Sequence, residues 1–109
     1  MVKLFFDYML AGYRVKVKRR LKLAGYKVVT RVAKPVSGRI GSLQGVKHYD
    51  FQILRWLKKH RDFILITSDK ALHRKATKQG LTSTLIPMNK GEVITEILKS
   101  ISPHLRRGR

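Results

Sequence analysis

The sequence predicts an α/β protein: three layers, α/β/α, built around a small, mainly parallel sheet. Three observations carry this. Apolar runs of strand length alternate with segments of helical periodicity along the whole chain. The run Phe63-Ile64-Leu65-Ile66-Thr67 has the unbroken apolar character of a strand buried on both faces. Gly25 and Gly80 stand where two helical patterns stop, the place where a left-handed C-cap is needed.

The elements follow in order. Val2 to Phe6 is a short apolar run suited to a buried strand. From Tyr8 to Ala24 the pattern becomes helical, with Leu10, Tyr13, Val17, Leu21 and Ala24 recurring on one face. Lys27 to Val32 reads as a second strand. Lys34 to Lys47 holds Pro35, Gly38, Gly41 and Gly45 and reads as a loop. Asp50 is placed to cap a helix running to about His60, with Ile53, Trp56 and Leu57 on its inner side. After the Phe63–Thr67 strand, Ser68 or Asp69 caps a third helix to Gln79. Leu81 to Ile86 is a fourth strand, and Pro87 with Asn89 makes a turn. Glu92 to Ile101 is a last helix, apolar at Val93, Ile94, Ile97, Leu98 and Ile101. The order βαβ, loop, αβαβα implies right-handed crossovers and helices on both faces.

A chain of 109 residues fits one domain, here residues 1–102, followed by a basic tail at 103–109. Hydrophobic residues make up 43%, enough for one core, and a chain this size buries roughly 60–68% of its unfolded surface without a staple. There is no cysteine, which excludes disulfides and thiolate metal sites. No apolar run approaches the roughly 20 residues of a membrane span. The apolar start is too short for a signal peptide and meets Asp7 at once, so a cytoplasmic location is expected. Asn89 is the only Asn, a hint of a thermophilic source. Internal repeats, low-complexity blocks and Walker or Rossmann glycine patterns are missing, so no small-molecule substrate is indicated.

Charge is the strongest compositional signal. Twenty-five Lys and Arg face six Asp and Glu, a net charge of +19 and a pI near 11.1. Solubility needs only a few units of charge. An excess this large opposes compaction unless a polyanion screens it, which points to nucleic acid.

The acids are few but placed together. Asp7 follows the first strand, Asp69 follows the third, and Asp50 opens the helix before it. In a parallel sheet all three can converge beyond the carboxyl ends of the strands, where ligands gather. Three carboxylates there are what Mg²⁺ or Mn²⁺ takes as hard-oxygen ligands. Helix capping alone also explains Asp50 and Asp69.

The frame Phe5-Phe6-Asp7, then a helix, then Ala24-Gly25-Tyr26-Lys27-Val28-Val29, resembles the start of the compact PIN-like proteins. The resemblance continues through Asp50-Phe51-Gln52-Ile53-Leu54 and through Phe63 to Leu72, with its Thr-x-Asp strand end. It covers residues 1 to about 80. It implies a PIN-like fold and a Mg²⁺- or Mn²⁺-dependent endoribonuclease, often a toxin, with Asp7, Asp50 and Asp69 as catalytic, metal-binding residues. Two positions depart from the pattern. The family's Asp-Glu-Asn reads Asp7-Tyr8-Met9 here, and a further family Asp is Ala71. Fewer carboxylates mean weaker metal binding, so the chain leans away from catalysis.

The basic residues point to RNA. Arg14, Lys18 and Lys22 stand at i, i+4 and i+8 on the first helix, with Lys16, Arg19 and Arg20 beside them and no Glu between. Like charges at that spacing destabilise a helix, and a phosphate backbone relieves them. Lys70, Arg74 and Lys78 repeat the spacing on the third helix, next to Lys75. The glycine-containing loop adds Arg39, Lys47 and His48, and the tail adds Arg106, Arg107 and Arg109. Tyr26, Tyr49 and Trp56 are candidates to stack on bases, although core packing suits Trp56 better. Charge spread this widely suits a protein embedded among RNA segments. The expected function is a structural, rRNA-binding component of the ribosome or a similar particle, with no required cofactor. The alternatives are the PIN-like endoribonuclease and a DNA-compacting protein.

Overall fold

The computed structural model describes residues 1–33, 42–88 and 91–107, of which 42–49 and 106–107 are described as backbone alone. Four strands form one sheet, β1 (Val2–Phe6), β2 (Val28–Val32), β3 (Ile64–Thr67) and β4 (Ser83–Leu85). The helices are α1 (Arg14–Leu23), α2 (Ser42–Lys59), α3 (Lys70–Lys78) and α4 (Val93–Arg107). The sheet order is β2-β1-β3-β4 and every pairing is parallel, with Val2 opposite Val28 and Leu4 opposite Ile64.

Strand periodicity divides the core between two faces. Val2, Leu4 and Phe6 of β1 join Ile64 and Ile66 of β3 beneath α1 and α4, packed on Val17, Leu21, Val93, Ile97 and Ile101. Phe5 and Leu65 point the other way, onto Ile53, Leu54 and Leu57 of α2 and Leu72 and Ala76 of α3. All four residues of β3 are buried. Burying side chains such as Leu4 and Leu65 completely contributes about 1.5–3 kcal/mol each. The expected three-layer α/β/α architecture with a parallel sheet is therefore what the chain adopts.

Both predicted glycine caps form. Gly25 has φ +95° and Gly80 has φ +76°. After α1, Tyr26 N–H reaches the Leu21 carbonyl at 3.0 Å and Gly25 N–H the Lys22 carbonyl at 3.0 Å. After α3, Leu81 and Gly80 make the same pair of bonds to Ala76 and Thr77. These are Schellman closures, which a Cβ at the left-handed position would strain.

Three expectations need correction. The segment Tyr8 to Ala24 is not one α-helix: Tyr8–Tyr13 is a 3-10 helix and the α-helix begins at Arg14. The tighter turn starts with Leu10 N–H on the Asp7 carbonyl, at 2.9 Å, and drops Leu10 fully into the core. Gly12 favours that break, because glycine costs about 1 kcal/mol relative to Ala inside an α-helix. Second, α2 begins at Ser42, so Gly45 and Lys47 are helical and Asp50 lies well inside the helix, where it caps nothing. Leu43, Val46, Tyr49, Ile53 and Leu57 continue one apolar three-four spacing in the sequence, and that periodicity outweighs a single interior glycine. Third, the last helix does not stop before Pro103 but runs on to Arg107. Pro103 forfeits one bond to the preceding turn, yet half-buried Leu105 beyond it packs on the same core as Ile101. The domain therefore takes in residues 103–107, which are no free tail.

Candidate functional site

β1→β2 runs one way across the sheet and β3→β4 the other, so the carboxyl ends of β1 and β3 flank the topological switch point. The sequence puts Asp7 immediately after β1 and Thr67-Ser68-Asp69 at the end of β3. Asp7 N–H donates to the Ile66 carbonyl at 2.9 Å, which holds the two strand ends together. The fully buried Thr67 hydroxyl donates to Asp7 Oδ2 at 2.7 Å and accepts from Asp69 N–H at 3.0 Å. Asp7 Oδ1 accepts from Tyr8 N–H at 2.7 Å. Asp69 Oδ1 caps α3 by accepting from Ala71 and Leu72 N–H at 2.8 and 3.2 Å. One threonine thus ties both strand ends to the start of α3.

Asp50, half-buried on α2, completes the cluster electrostatically. Burial pushes the Asp50 carboxyl above its ordinary value, and Asp69 and Asp7 push it the same way against the pull of Lys75. Burial likewise raises Asp7, Asp69 adds to the rise, and the bonds from Thr67 and Tyr8 oppose it. Asp7 and Asp69 thus meet at one sheet end through Thr67, and Asp50 lies on α2 within reach of their charges. Among the described residues no three acidic or imidazole side chains are gathered closely enough to hold an ion. Both Asp7 oxygens and one Asp69 oxygen already accept protein hydrogen bonds.

The cations lie elsewhere, on two opposed surfaces. α1 packs in one outer layer and α3 in the other. On α1, Lys16, Arg19, Arg20 and Lys22 are exposed, and Lys18 is half-buried. Arg14 is also half-buried, its guanidinium donating to the Thr30 hydroxyl of β2 at 3.2 Å. On α3, Lys70, Arg74, Lys75 and Lys78 are all exposed. Arg39 and Arg109 lie outside the described residues, and Lys47, Arg106 and Arg107 are described only as helical backbone. Among the described residues there is one ion pair, Lys3 with Asp62, in which Lys3 holds the Asp62 carboxyl below its usual value.

Of the candidates to stack on bases, Trp56 and Tyr26 pack within the fold. Trp56 stacks on His60 with ring centroids 3.9 Å apart, meets Phe63 edge-on at 4.8 Å, and carries the Arg31 guanidinium 5.2 Å from its ring. Tyr26 packs partly on the core, and the side chain of Tyr49 lies outside the described residues. Among the described residues the exposed aromatics are Tyr8 and Phe51, next in sequence to Asp7 and Asp50. Sequence reasoning missed Thr67, although the Thr-x-Asp strand end was its signal. It also missed Val15 and Leu23, apolar residues exposed among the α1 cations at 53% and 82%. No described helix is long and apolar enough to cross a membrane. No protein-family model, curated protein or solved structure matches the chain.

Proposed function

We propose that the chain binds structured RNA as a component of, or a protein bound to, a ribonucleoprotein particle such as the ribosome. One observation carries this: two opposite outer layers present exposed Lys and Arg that form no salt bridge among the described residues, where the one ion pair is Lys3–Asp62. The sequence has no Asp or Glu between Asp7 and Asp50, so the α1 face has no acid near it in the chain to neutralise it. Charge of one sign on both sides of a thin sandwich repels itself, and phosphate on both sides relieves the repulsion. A protein seated between RNA segments meets that condition better than one gripping a single duplex from one side.

The test is a salt titration of binding to folded ribosomal RNA, with co-sedimentation on ribosomal particles. If about 6–10 phosphates are neutralised, affinity falls by roughly 10³–10⁵ between 50 and 200 mM salt. Binding that ignores salt, or no binding at low salt, overturns the proposal. One observation favours an alternative: the shared charge of Asp7, Asp50 and Asp69 at the switch point, which would suit a Mg²⁺- or Mn²⁺-dependent endoribonuclease if the carboxylates closed around an ion. Cleavage of RNA by the purified chain distinguishes the two.

A further inference from the structure

α1 has an unusual cross-section for a charged helix. Val17 and Leu21 are buried with Leu10 beneath it. At 3.6 residues per turn, the line opposite that stripe passes through Val15, Arg19 and Leu23. The outermost crest is therefore apolar at both ends, with Leu23 at 82% exposure and Val15 at 53%. Lys18 and Lys22 run along one side of it, Lys16 and Arg20 along the other. A shallow depression of about 370 Å³ lies among Val15, Lys18, Arg19, Lys22 and Leu23. A second, of about 290 Å³, lies among Lys16, Arg19, Arg20, Leu23 and Ile94 of α4.

A helix that merely leaned on a phosphate backbone would need cations all along the crest. Here two of the three crest residues are apolar, so the crest meets something less polar than phosphate, while the flanks meet phosphate on both sides. The flanks are separated by the width of a helix with its side chains, roughly 10–12 Å. A groove with two phosphate walls and a floor of bases and sugars has that pattern. The deep, narrow major groove of regular A-form RNA does not admit side chains, and its wide, shallow minor groove offers no close pair of walls. A bulge or internal loop opens the major groove and leaves unstacked base faces for Val15 and Leu23 to cover. Building on the RNA-binding proposal above, we infer that α1 docks crest-first in the major groove of an RNA helix widened by a bulge or internal loop. Arg19 reaches the base edges at the floor, and Lys16, Arg20, Lys18 and Lys22 contact the two walls.

The experiment uses the full chain and three fluorescent probes of equal length: a perfect RNA hairpin, the same hairpin with a pyrimidine bulge, and the matching DNA duplex. The wild type is expected to favour the bulged RNA over the perfect one by about tenfold. The double variant Val15→Gln and Leu23→Gln changes exposed positions only. It is expected to lose that preference while keeping its affinity for the perfect hairpin and its salt slope, with an unchanged circular dichroism spectrum. Equal affinity of the wild type for both RNA hairpins, with the salt slope intact, overturns the inference and leaves RNA binding standing. So does a preference retained by the double variant. Preference for the DNA duplex overturns it in favour of a B-form groove. Failure to bind any probe overturns both proposals.

Discussion

Thr67 is the residue on which the switch point turns, and Thr67→Val removes its hydroxyl while keeping its shape. The hydroxyl is fully buried, donates to Asp7 and accepts from Asp69 N–H. A hydrogen bond to a charged group is worth about 1.5–3 kcal/mol, and one between neutral groups about 1 kcal/mol. Both are lost together, and the sum is about 3 kcal/mol at neutral pH. For a domain near this size that corresponds to a fall in melting temperature of roughly 10–20 °C. The pH dependence identifies the cause. Asp7 titrates above its ordinary value of 3.8 in the folded chain. A raised carboxyl destabilises the fold as pH rises through the interval from 3.8 to its folded value, and does nothing below 3.8. Thr67 opposes that rise, so Thr67→Val raises Asp7 further and stretches the interval upward. The deficit against wild type is therefore expected to be largest at neutral pH and to shrink toward about pH 4. Thermal unfolding followed by circular dichroism at several pH values measures this, with Thr67→Ser as the control that keeps the hydroxyl. A deficit independent of pH, or equal in the serine variant, would refute the proposed role of the bond to Asp7.

Three further outcomes are expected. Asp7→Asn removes a buried charge that Asp69 repels but leaves one acceptor oxygen for the two donors Tyr8 N–H and Thr67 hydroxyl, so the lost bond offsets the removed charge at neutral pH and the gain on mild acidification should vanish; a variant that still gains stability on mild acidification would contradict this. A chain ending at Ser102 loses the Leu105 contact with the core, and half-burial of a leucine at about 1 kcal/mol should lower the melting temperature by roughly 4–8 °C; no change would show that residues 103–107 are dispensable for the fold. Incubation of the purified chain with single-stranded or ribosomal RNA and Mg²⁺ or Mn²⁺ should give no cleavage beyond buffer, and robust cleavage abolished by Asp69→Asn would instead establish the nuclease.

Several features were legible because they are fixed locally. The Phe63–Thr67 run is apolar on both sides, so no burial pattern but a central strand suits it. Gly25 and Gly80 mark positive φ, which other residues adopt at a cost. Asp69 caps α3 through its nearest backbone N–H groups. Other features misled for equally physical reasons. Glycine composition at 38–45 reads as a loop, while a helix already propagating through residues 46–57 absorbs Gly45 at about 1 kcal/mol. Pro103 reads as a stop, yet burial of Leu105 beyond it favours carrying the helix through.

The sequence by itself determined the alternation of strands and helices, the excess of positive charge and the positions of the three aspartates after strands or beside them. These follow from periodicity, composition and short-range backbone sterics, all of which act within a few residues. Only the tertiary structure decided which groups meet. Thr67 reaches Asp7 across 60 residues of chain because β1 and β3 are neighbours. Asp50 lies inside a helix and not at its cap, and feels the charges of Asp7 and Asp69 from there. The basic helices α1 and α3 face opposite ways because right-handed crossovers running in opposite directions along the sheet place them in opposite layers. The α1 crest became apolar at its ends because the buried stripe turned Val15 and Leu23 outward. Each of these depends on the order and handedness of packed elements, which no local stretch of sequence encodes alone.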